Sequence, residues 1–349
     1  MKTCSVIDVF CGIGGLTHGF VKEGFNVIAG LDIDVSCQYA YEKNNKAKFI
    51  CKGIKDVKAR DILGLYPKGT TKILVGCAPC QSFSKYQSRY GQKDEKWKLL
   101  EAFADLIVET QPDVVSMENV PELLRFQKGL VFKNFVGRLE RAGYDITRYL
   151  PYCPDYGIPQ KRTRLVLFAS KLGSIKLIEK TNTPEQYKTV RDAIYHLPPI
   201  AAGEMCASDP LHKSPQLSEL NLKRIKQSRP GGTWEDWDED LRAACHTKES
   251  GSTYVSVYGR MEWDEPAPTL TTECCSFGCG RFGHPEQDRA ISLREAALIQ
   301  TFPINYTFGQ DILFNKIIAR HIGNAVPVDL GRVIAKSIKR HLEELNGDK

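Results

Sequence analysis

Strand-like and helix-like patterns alternate along the first half of this chain, and this alternation constrains its fold more than any other feature. A helical pattern over residues 16–23 ends at Gly24, and another ends before Pro112. Alternating strands and helices are typical of a mainly parallel sheet covered by helices on both faces. We therefore predict an α/β domain with functional groups at the carboxyl ends of its strands. The apolar runs expected to be strands are 5–10, 26–31, 72–75, 113–117, 145–150 and 164–169.

Residues 181–288 differ from the first half of the chain in composition and in periodicity. They are rich in Pro, Gly, Ser, Thr and Trp and show little periodicity, which predicts a smaller domain of irregular structure. Helical patterns return after Ser292, which has the spacing of a capping box with Glu295, and again over 328–345. The predicted division is 1–180 with 305–349 for the first domain, and 181–304 for the second domain and a hinge.

Composition and charge narrow the class of protein only a little. The formal net charge is +6, which permits a polyanionic partner without requiring one. No apolar run approaches the roughly 20 residues of a membrane span, and the N-terminal residues lack the apolar region of a secretory signal. We therefore expect a cytoplasmic protein with no membrane partner, whose 12 cysteines are mostly free thiols.

A thiol follows one of the predicted strands closely. The pattern at 72–75 leads into Gly76-Cys77-Ala78-Pro79-Cys80, and the ring of Pro79 stiffens the turn beside Cys80. Backbone donors in such a turn favour a thiolate, so we predict that Cys80 is a nucleophile. The Cys77–Cys80 spacing also fits a redox or zinc pair, but no second pair has zinc-site spacing, and we expect no metal. Cys77 is predicted to be a plain buried thiol at the strand end.

Charged residues follow two other predicted strands. Glu118 and Asn119 come directly after the strand at 113–117, and a carboxylate near a nucleophilic thiol suggests acid–base work on a common substrate. A structural salt bridge is the alternative role for Glu118. Arg162 and Arg164 alternate at strand spacing, which predicts that both lie on one face. That face would meet anionic or carbonyl groups, or else would be the solvated side of an edge strand.

A glycine-rich turn joins the first predicted strand to the first helix. Gly12, Gly14 and Gly15 allow a ligand to approach the backbone at a helix N-terminus. The dinucleotide pattern G-x-G-x-x-G is absent, because Thr17 stands at the position of its third glycine. Asp32 lies near the offset at which a carboxylate binds ribose hydroxyls, so we predict an adenosyl cofactor other than NAD.

Three further residues are candidate contacts to the adenosyl group. Asp61 and Ile62 are candidates to bracket the adenine, with a plain helix N-cap as the alternative role for Asp61. Phe10 ends the first strand beside the glycines and is a candidate to shield the adenosyl group, with a place in the core as its alternative.

Taken together, these residues resemble the DNA cytosine-5 methyltransferase family in its compact bacterial and phage form. The matching blocks run in family order through most of the chain. Residues 181–260 match least, and the family carries its variable target-recognition region there. Ala78 and His321 depart from residues that are common in the family, and neither holds a catalytic position. The blocks are 10–15, 79–81, 118–120, 160–164, 294–297 and 323–327.

The resemblance implies a Rossmann-like, S-adenosylmethionine-dependent methyltransferase fold and methyl transfer to carbon 5 of cytosine in double-stranded DNA. By resemblance, Cys80 would add to C6 of a flipped-out base, Glu118 would protonate or hydrogen-bond N3, and Arg164 would bind O2. Arg162 would order the site or nearby phosphates, and Asn119 would orient the target amine or the turn at Pro79. The implied cofactor contacts are Phe10, Gly12, Gly14, Gly15, Asp32, Ile33, Asp61, Ile62, Pro79 and Asn324.

The resemblance also implies that residues 181–304 form a target-recognition domain. Backbone contacts would position the duplex and a few side chains would read its bases. We expect a monomer, and a cognate restriction endonuclease that acts separately is a candidate partner. Each predicted DNA contact has an ordinary polar loop residue as its alternative role. The predicted contacts are Gln81, Ser84, Arg260, Thr269, Thr271, Thr272 and Arg281.

Three other functions fit parts of the pattern. A cytosine-5 methyltransferase acting on RNA would use the same scaffold, although a sizeable recognition domain favours duplex DNA. A non-catalytic DNA-binding relative is disfavoured by the presence of Cys80, Glu118, Arg162 and Arg164. A Rossmann-type dehydrogenase is disfavoured by Thr17 and by the lack of an evident histidine and acid for hydride transfer.

Overall fold

The structure is a computed structural model, and it describes residues 3–79, 97–246, 248, 251, 253–309 and 315–347. The chain divides into two compact units. The first comprises Met1–Tyr156, Thr163–Thr181 and Val326–Lys349, and the second comprises Gly157–Arg162 and Asn182–Ala325. The second unit therefore extends past the boundary at 304 that the sequence suggested. The assignment of a function to each unit stays a prediction.

The first unit contains a seven-stranded sheet. Its strands are β1 (Cys4–Val9), β2 (Asn26–Asp32), β3 (Lys48–Cys51), β4 (Thr71–Gly76), β5 (Val114–Asn119), β6 (Asp145–Tyr149) and β8 (Leu165–Ser170). They lie in the order β3-β2-β1-β4-β5-β8-β6. The first five strands in that order pair in parallel, and β8 runs antiparallel to both β5 and β6. This mostly parallel sheet confirms the predicted α/β fold.

Strand β5 shows how the sequence places polar groups at the edge of the core. All of its residues are buried, and Val114, Val115 and Met117 are completely enclosed. The strand then ends on two buried polar side chains, Glu118 and Asn119. A polar group costs free energy to bury unless it has a partner, so these two residues must be bound inside the unit or must serve a ligand.

Helices complete the first unit. Leu100, Phe103 and Ile107 form the buried stripe of helix α4 (Lys98–Thr110) at helical spacing. Helix α1 (Gly15–Lys22) packs closely on α10 (Val328–Gly347), because a Cβ atom at Gly19 would lie 2.5 Å from the carbonyl carbon of Gly331. Within the described ranges, no helix combines the length and apolar character needed to cross a membrane. The helices are α1 (Gly15–Lys22), α2 (Gln38–Asn45), α3 (Ala59–Leu63), α4 (Lys98–Thr110), α5 (Leu130–Arg141) and α10 (Val328–Gly347).

The second unit has little regular structure, as its composition predicts. Its small apolar core is built around Ile225, Trp234, Trp237 and Phe277, and Tyr258 packs edge-on against both Trp237 and Phe277. Its helices are α6 (Val190–Ile194), α7 (Glu219–Gln227), α8 (Leu293–Ile299) and α9 (Asn315–Asn324). Its strands are β7 (Gln160–Lys161), β9 (Met205–Cys206), β10 (Asp209–Lys213) and β11 (Ala267–Pro268).

A buried ion pair and a helix cap lie at the start of α8 in the second unit. The capping box predicted for Ser292 and Glu295 is confirmed at the start of α8. The Glu295 carboxylate also accepts two hydrogen bonds from Arg289, both at 2.7 Å, and both side chains are about 1% exposed. Burial alone would raise the pKa of Glu295, but the Arg289 guanidinium outweighs it and the net pKa lies below its usual value.

Candidate active site

The order of the strands marks one position at the sheet edge as a ligand site. The chain passes outward from β1 through β2 to β3, and in the opposite direction through β4 to β5. In open α/β sheets, ligands bind outside the carboxyl ends of the strands where the order reverses. Strand β1 leads there into the glycine-rich turn, and β4 leads into residues 77–79. Cys80, Gln81 and Ser84 follow, and these three predictions lie outside the described residues.

The glycine-rich turn exposes its backbone. Phe10, Gly12 and Gly14 have φ angles of 63°, 49° and 88°, in the left-handed region that favours glycine. Gly14 caps α1, and an added Cβ at Gly12 would meet no described atom within 4 Å. Open space in front of a turn at a helix N-terminus is the arrangement expected for a bound ligand.

Asp32 fixes this turn to the end of β2. Its carboxylate accepts a hydrogen bond from the Gly12 backbone N–H at 2.8 Å and another from the Asp34 backbone N–H at 2.9 Å. Next to it, the side chains of Ile33 and Val35 are 75% and 62% exposed. A carboxylate beside exposed apolar side chains suits a nucleoside, whose ribose hydroxyls donate and whose base is flat and largely apolar. The residues present therefore fit an adenosyl group.

The other predicted adenosyl contacts differ in accessibility. Asp61 is exposed in the first turn of α3, and Lys58 is the N-cap of that helix, so the alternative role of Asp61 as an N-cap is wrong. Ile62 is only 1% exposed and belongs to the core. The partly buried ring of Phe10 packs edge-on against Phe103, with 6.1 Å between their centroids. Their contacts to a cofactor stay predictions.

Asp8 is a buried carboxyl group for which the sequence predicted no role. Thr17 donates a hydrogen bond to its Oδ2 at 2.6 Å, while Oδ1 has no partner among the described residues. Burial raises the pKa of Asp8 to about 7, against the opposing effect of the Thr17 hydroxyl. Thr17 stands where the dinucleotide pattern has its third glycine. That departure from the pattern was the only feature of the sequence that indicated a hydrogen bond between Thr17 and Asp8.

Glu118 lies beside the segment that leads to Cys80. In the parallel pairing of β4 and β5, Gly76 is the register partner of Met117, so the next residues, Cys77 and Glu118, are neighbours. The Cys77 thiol donates to Oε2 of Glu118 at 2.6 Å. Asn119 ties the same two strand ends together by donating from Nδ2 to the Ala78 carbonyl at 3.0 Å. The end of β5 thus holds the turn on which Pro79 lies.

Arg164 provides the positive charge beside this carboxylate. Its Nε lies 3.1 Å from Oε1 of Glu118, and the two side chains are 12% and 2% exposed. That Arg162 and Arg164 lie on one face stays a prediction. Arg162 belongs to the second unit and donates to the side chain of Gln160 and the Leu270 carbonyl, at 3.2 and 3.1 Å. The regular strand β7 ends at Lys161, and Thr163, between the two arginines, pairs with Tyr152 in an isolated antiparallel bridge.

The second unit contains a buried pair of glutamines that the sequence did not predict. Gln160 donates from Nε2 to Oε1 of Gln300 at 2.9 Å, and Gln300 donates to the Ile322 carbonyl at 2.7 Å. Asn324 follows at the end of α9, where it is exposed. The predicted contact of Asn324 with the cofactor stays a prediction. Its neighbour Gly323 packs on the Thr271 carbonyl so tightly that a Cβ atom there would lie 1.9 Å from the oxygen.

The predicted DNA contacts of the second unit differ sharply in accessibility. Arg260 is only 4% exposed and forms an ion pair with Asp288. Because its guanidinium is fully engaged inside the unit, Arg260 is not among the DNA contacts that we propose. The backbone carbonyls that accept from it belong to Ile225, Ser228, His284 and Gln287.

Four contacts predicted for the second unit remain. Thr271 is exposed, Thr272 and Thr269 are half-buried, and Arg281 is half-buried with one guanidinium N–H donating to the Gly232 carbonyl at 2.6 Å. Thr269 donates its hydroxyl to the Lys161 carbonyl at 2.7 Å. The bond to Gly232 engages one N–H group of Arg281, and the contacts of these four residues with DNA stay predictions.

The sequence of the whole chain decides between the functions considered above. A model of the C-5 cytosine-specific DNA methylase family matches residues 4–340. This chain belongs to that family. It is therefore a DNA cytosine-5 methyltransferase, and its family and fold imply S-adenosylmethionine as the methyl donor. The dehydrogenase alternative is wrong.

Individual proteins agree with the family. The chain is 58% identical to the Type II methylase M.HgiDII of Herpetosiphon aurantiacus, over 98% of this chain and 97% of that protein. It is 30% identical to the Type II methyltransferase M.Eco47II of Escherichia coli, over 98% and 80% of the two chains. The solved structure of the Entamoeba histolytica methyltransferase EhMeth has the same fold, with a TM-score of 0.67, 19% identity and coverage of 98% and 99%.

Proposed function

We propose that this methyltransferase acts on a cytosine turned out of a specific sequence in duplex DNA, through a transient bond between Cys80 and C6 of the base. The observation that carries the proposal is the environment of Glu118. Its side chain is 2% exposed, it ends the strand next to the segment leading to Cys80, and its Oε1 has no hydrogen-bond donor among the described residues. A buried acceptor without a donor favours a ligand that supplies one.

The chemistry begins with the sulfur of Cys80. Its thiolate adds to C6, the electrons of the C5–C6 double bond form a C4–C5 double bond, and those of the C4–N3 double bond move to N3, which makes C5 the nucleophilic carbon of an enamine. S-adenosylmethionine would supply the electrophilic methyl group for C5, and the electrons of the broken methyl–sulfur bond would stay on the cofactor sulfur. A base, for which water is our candidate, then removes the proton from C5. The electrons of that C–H bond restore the double bond, and the sulfur leaves C6 as a thiolate.

Glu118 makes the addition feasible by acting on the pyrimidine ring. As electrons move into the ring, a proton or hydrogen bond at N3 stabilises the charge that develops there. The carboxylate alone would be costly in a buried position, and Arg164 compensates its charge from 3.1 Å. The remaining guanidinium N–H groups of Arg164 are suited to the O2 atom of the same base.

The cofactor would lie at the carboxyl end of β1 and β2. Gly12 leaves room for it, Asp32 would accept from the ribose, and the exposed side chain of Ile33 would cover one face of the adenine. We expect Phe10 to shield the opposite side. The fit to an adenosyl group rests on this donor set and on the open backbone.

We assign DNA recognition to the second unit, with Thr269, Thr271, Thr272 and Arg281 as candidate contacts. The names of relatives as Type II enzymes support the view that a restriction endonuclease recognises the same sequence. We expect a monomer, because a single duplex with one flipped base needs a single site. The extra-helical base costs a few kcal/mol, which the pocket contacts must offset.

Trapping the adduct tests the proposal. We expect duplex DNA with 5-fluorocytosine at the target to form a covalent complex that survives a denaturing gel. In this base, fluorine replaces the C5 hydrogen that must be removed as a proton before the sulfur can leave. Cys80→Ala should give no complex and no methyl transfer, and Cys77→Ser should retain both. Absence of a complex with the parent chain would refute the mechanism, and equal losses in both variants would favour a redox pair.

Two further experiments define the substrate. Duplex RNA and transfer RNA offered in parallel would reveal an enzyme that acts on RNA, and bisulfite sequencing of modified DNA would give the target sequence.

A further inference from the structure

The thiol of Cys77 contacts the carboxylate on which the proposed chemistry depends. Its Sγ lies 2.6 Å from Oε2 of Glu118, because the register of β4 and β5 makes these two residues neighbours at the strand ends. A thiol can donate one hydrogen bond, and a carboxylate is a better acceptor than the neutral groups usually available to it. The mechanism described above gives this contact no role.

The two oxygens of Glu118 have different surroundings. Oε2 accepts from Cys77, whereas Oε1 lies 3.1 Å from the Nε of Arg164 in an ion pair without hydrogen-bond geometry. Oε1 is therefore neutralised electrostatically while its hydrogen-bonding capacity is unused by the described residues. One oxygen is thus bound by the protein, and the other is left for the base.

We propose that Cys77 is a positioning residue for methyl transfer, which fixes the rotation of the Glu118 carboxylate so that Oε1 stays directed at the pyrimidine. This inference rests on the proposed function of Glu118. The planar guanidinium of Arg164 can bind both oxygens of a carboxylate side by side. A donor on Oε2 prevents that arrangement, which would otherwise turn the carboxylate away from the base.

The proposal concerns the rate of the chemical step and not the binding of DNA. Positioning of a catalytic group affects the transition state more than the ground state, so the loss should appear in kcat and in the single-turnover rate rather than in KM. A thiol is a weak donor, so we expect a loss of about fivefold in the single-turnover rate when it is removed. The Kd for DNA should stay within about twofold of the parent value.

A matched pair of variants separates the hydrogen bond from the volume of the side chain. Cys77→Val and Cys77→Thr introduce side chains of the same shape, and only threonine carries a donor. We expect Cys77→Val to show the loss and Cys77→Thr to recover most of it, with Cys77→Ala and Cys77→Ser as a second pair if either bulky variant fails to fold. Equal rates within each pair, whether normal or reduced, would overturn the proposal.

A double-mutant cycle shows whether Cys77 acts through Glu118. In the Glu118→Gln background, Cys77→Val should change the rate by less than twofold, because the group that it positions has been altered already. Additive losses would overturn the proposal.

The adduct with 5-fluorocytosine DNA separates this inference from the proposed function. If the parent chain forms no adduct, the proposed function is wrong. If the parent chain forms the adduct but the valine and threonine variants have equal single-turnover rates, only the role of Cys77 is wrong.

Discussion

The two units differ in how completely the described residues satisfy their buried charged side chains. In the first unit, Glu118 ends a regular strand, and one of its oxygens has no donor among the described residues. In the second unit, Arg260 and Arg289 are buried just as deeply, and their guanidinium groups bind backbone carbonyls and carboxylates of the same unit. The first arrangement leaves a buried acceptor unsatisfied among the described residues, while the second satisfies acceptors within its own unit.

The difference follows from the backbone. Strands of a sheet satisfy one another's N–H and C=O groups, so a charged side chain at a strand end is not needed for that purpose. An irregular chain leaves carbonyl groups without N–H partners when it is buried. Arginine, with five donors, can satisfy several of them together. A buried arginine in an irregular domain is therefore weak evidence for DNA contact, even in a DNA-binding enzyme.

The largest expected effect sharpens this comparison in the first unit. We expect Glu118→Gln to lower kcat/KM for methyl transfer by about 10²-fold, because it removes general acid–base catalysis at the base and keeps the shape of the side chain. Its melting temperature should stay close to that of the parent. Glu122→Gln, on a half-buried residue of the same chain segment, is the control and should keep full activity. A loss below tenfold for Glu118→Gln would contradict its assignment.

The corresponding change in the second unit should act on stability. Arg260→Met leaves four backbone carbonyls without their donor, and we expect the free energy of unfolding of this unit to fall by more than about 4 kcal/mol. Arg281→Met removes one such bond and should cost about 1 kcal/mol. Urea titration followed by tryptophan fluorescence measures both. An Arg260→Met protein that is stable but binds DNA weakly would restore Arg260 as a DNA contact.

A pH titration extends the comparison, beginning with Asp8. Burial raises the pKa of this carboxyl group to about 7 in the folded chain, from a usual value of 3.8. The folded state therefore holds more protons between these values, and stability of the first unit falls as pH rises from about 4 to about 7, by at most about 4 kcal/mol. Asp8→Asn should be more stable than the parent at pH 8 and similar at pH 4, by thermal melting. An equal difference at both pH values would rule this out.

His284 should give the opposite slope in the second unit. Burial lowers its pKa to about 4, although the nearby Glu295 carboxylate opposes the shift. The unfolded chain then binds more protons below its usual pKa of 6.5, so stability falls as pH drops from about 6.5 to about 4, by at most about 3 kcal/mol. In the His284→Asn variant, the urea concentration at which the second unit is half unfolded should change less between pH 7 and pH 5 than in the parent. Retention of the parent slope would assign the effect to another group.

Local patterns in the sequence predicted the regular parts of the molecule well. The strand at 113–117, the capping box of Ser292 and Glu295, and the helix end at Gly24 depend on neighbouring residues, and the structure confirms each of them. The loop glycines Gly12 and Gly14 also have the positive φ angles that make glycine suitable there. These features could be predicted because their physical causes lie within a few residues.

Contacts between distant residues could not be predicted in the same way. Gln160 and Gln300 are 140 residues apart, and the thiol of Cys77 meets Glu118 only through the register of two strands. Arg260 had the same appearance in the sequence as an exposed arginine, since nothing local indicates which carbonyls surround it. Burial in the folded chain, rather than residue type, separates the structural groups from the groups left for a ligand.

The pairing of α1 with α10 sets the timing of folding during synthesis. Helix α1 is made before α10, but the surface at Gly19 that it buries is provided by Gly331, more than 300 residues later. At about 5–20 residues per second, a ribosome needs tens of seconds to deliver that partner. The nascent chain therefore cannot complete the first unit until α10 has been synthesised, and fragments released before α10 should lack the packing that α10 gives to α1.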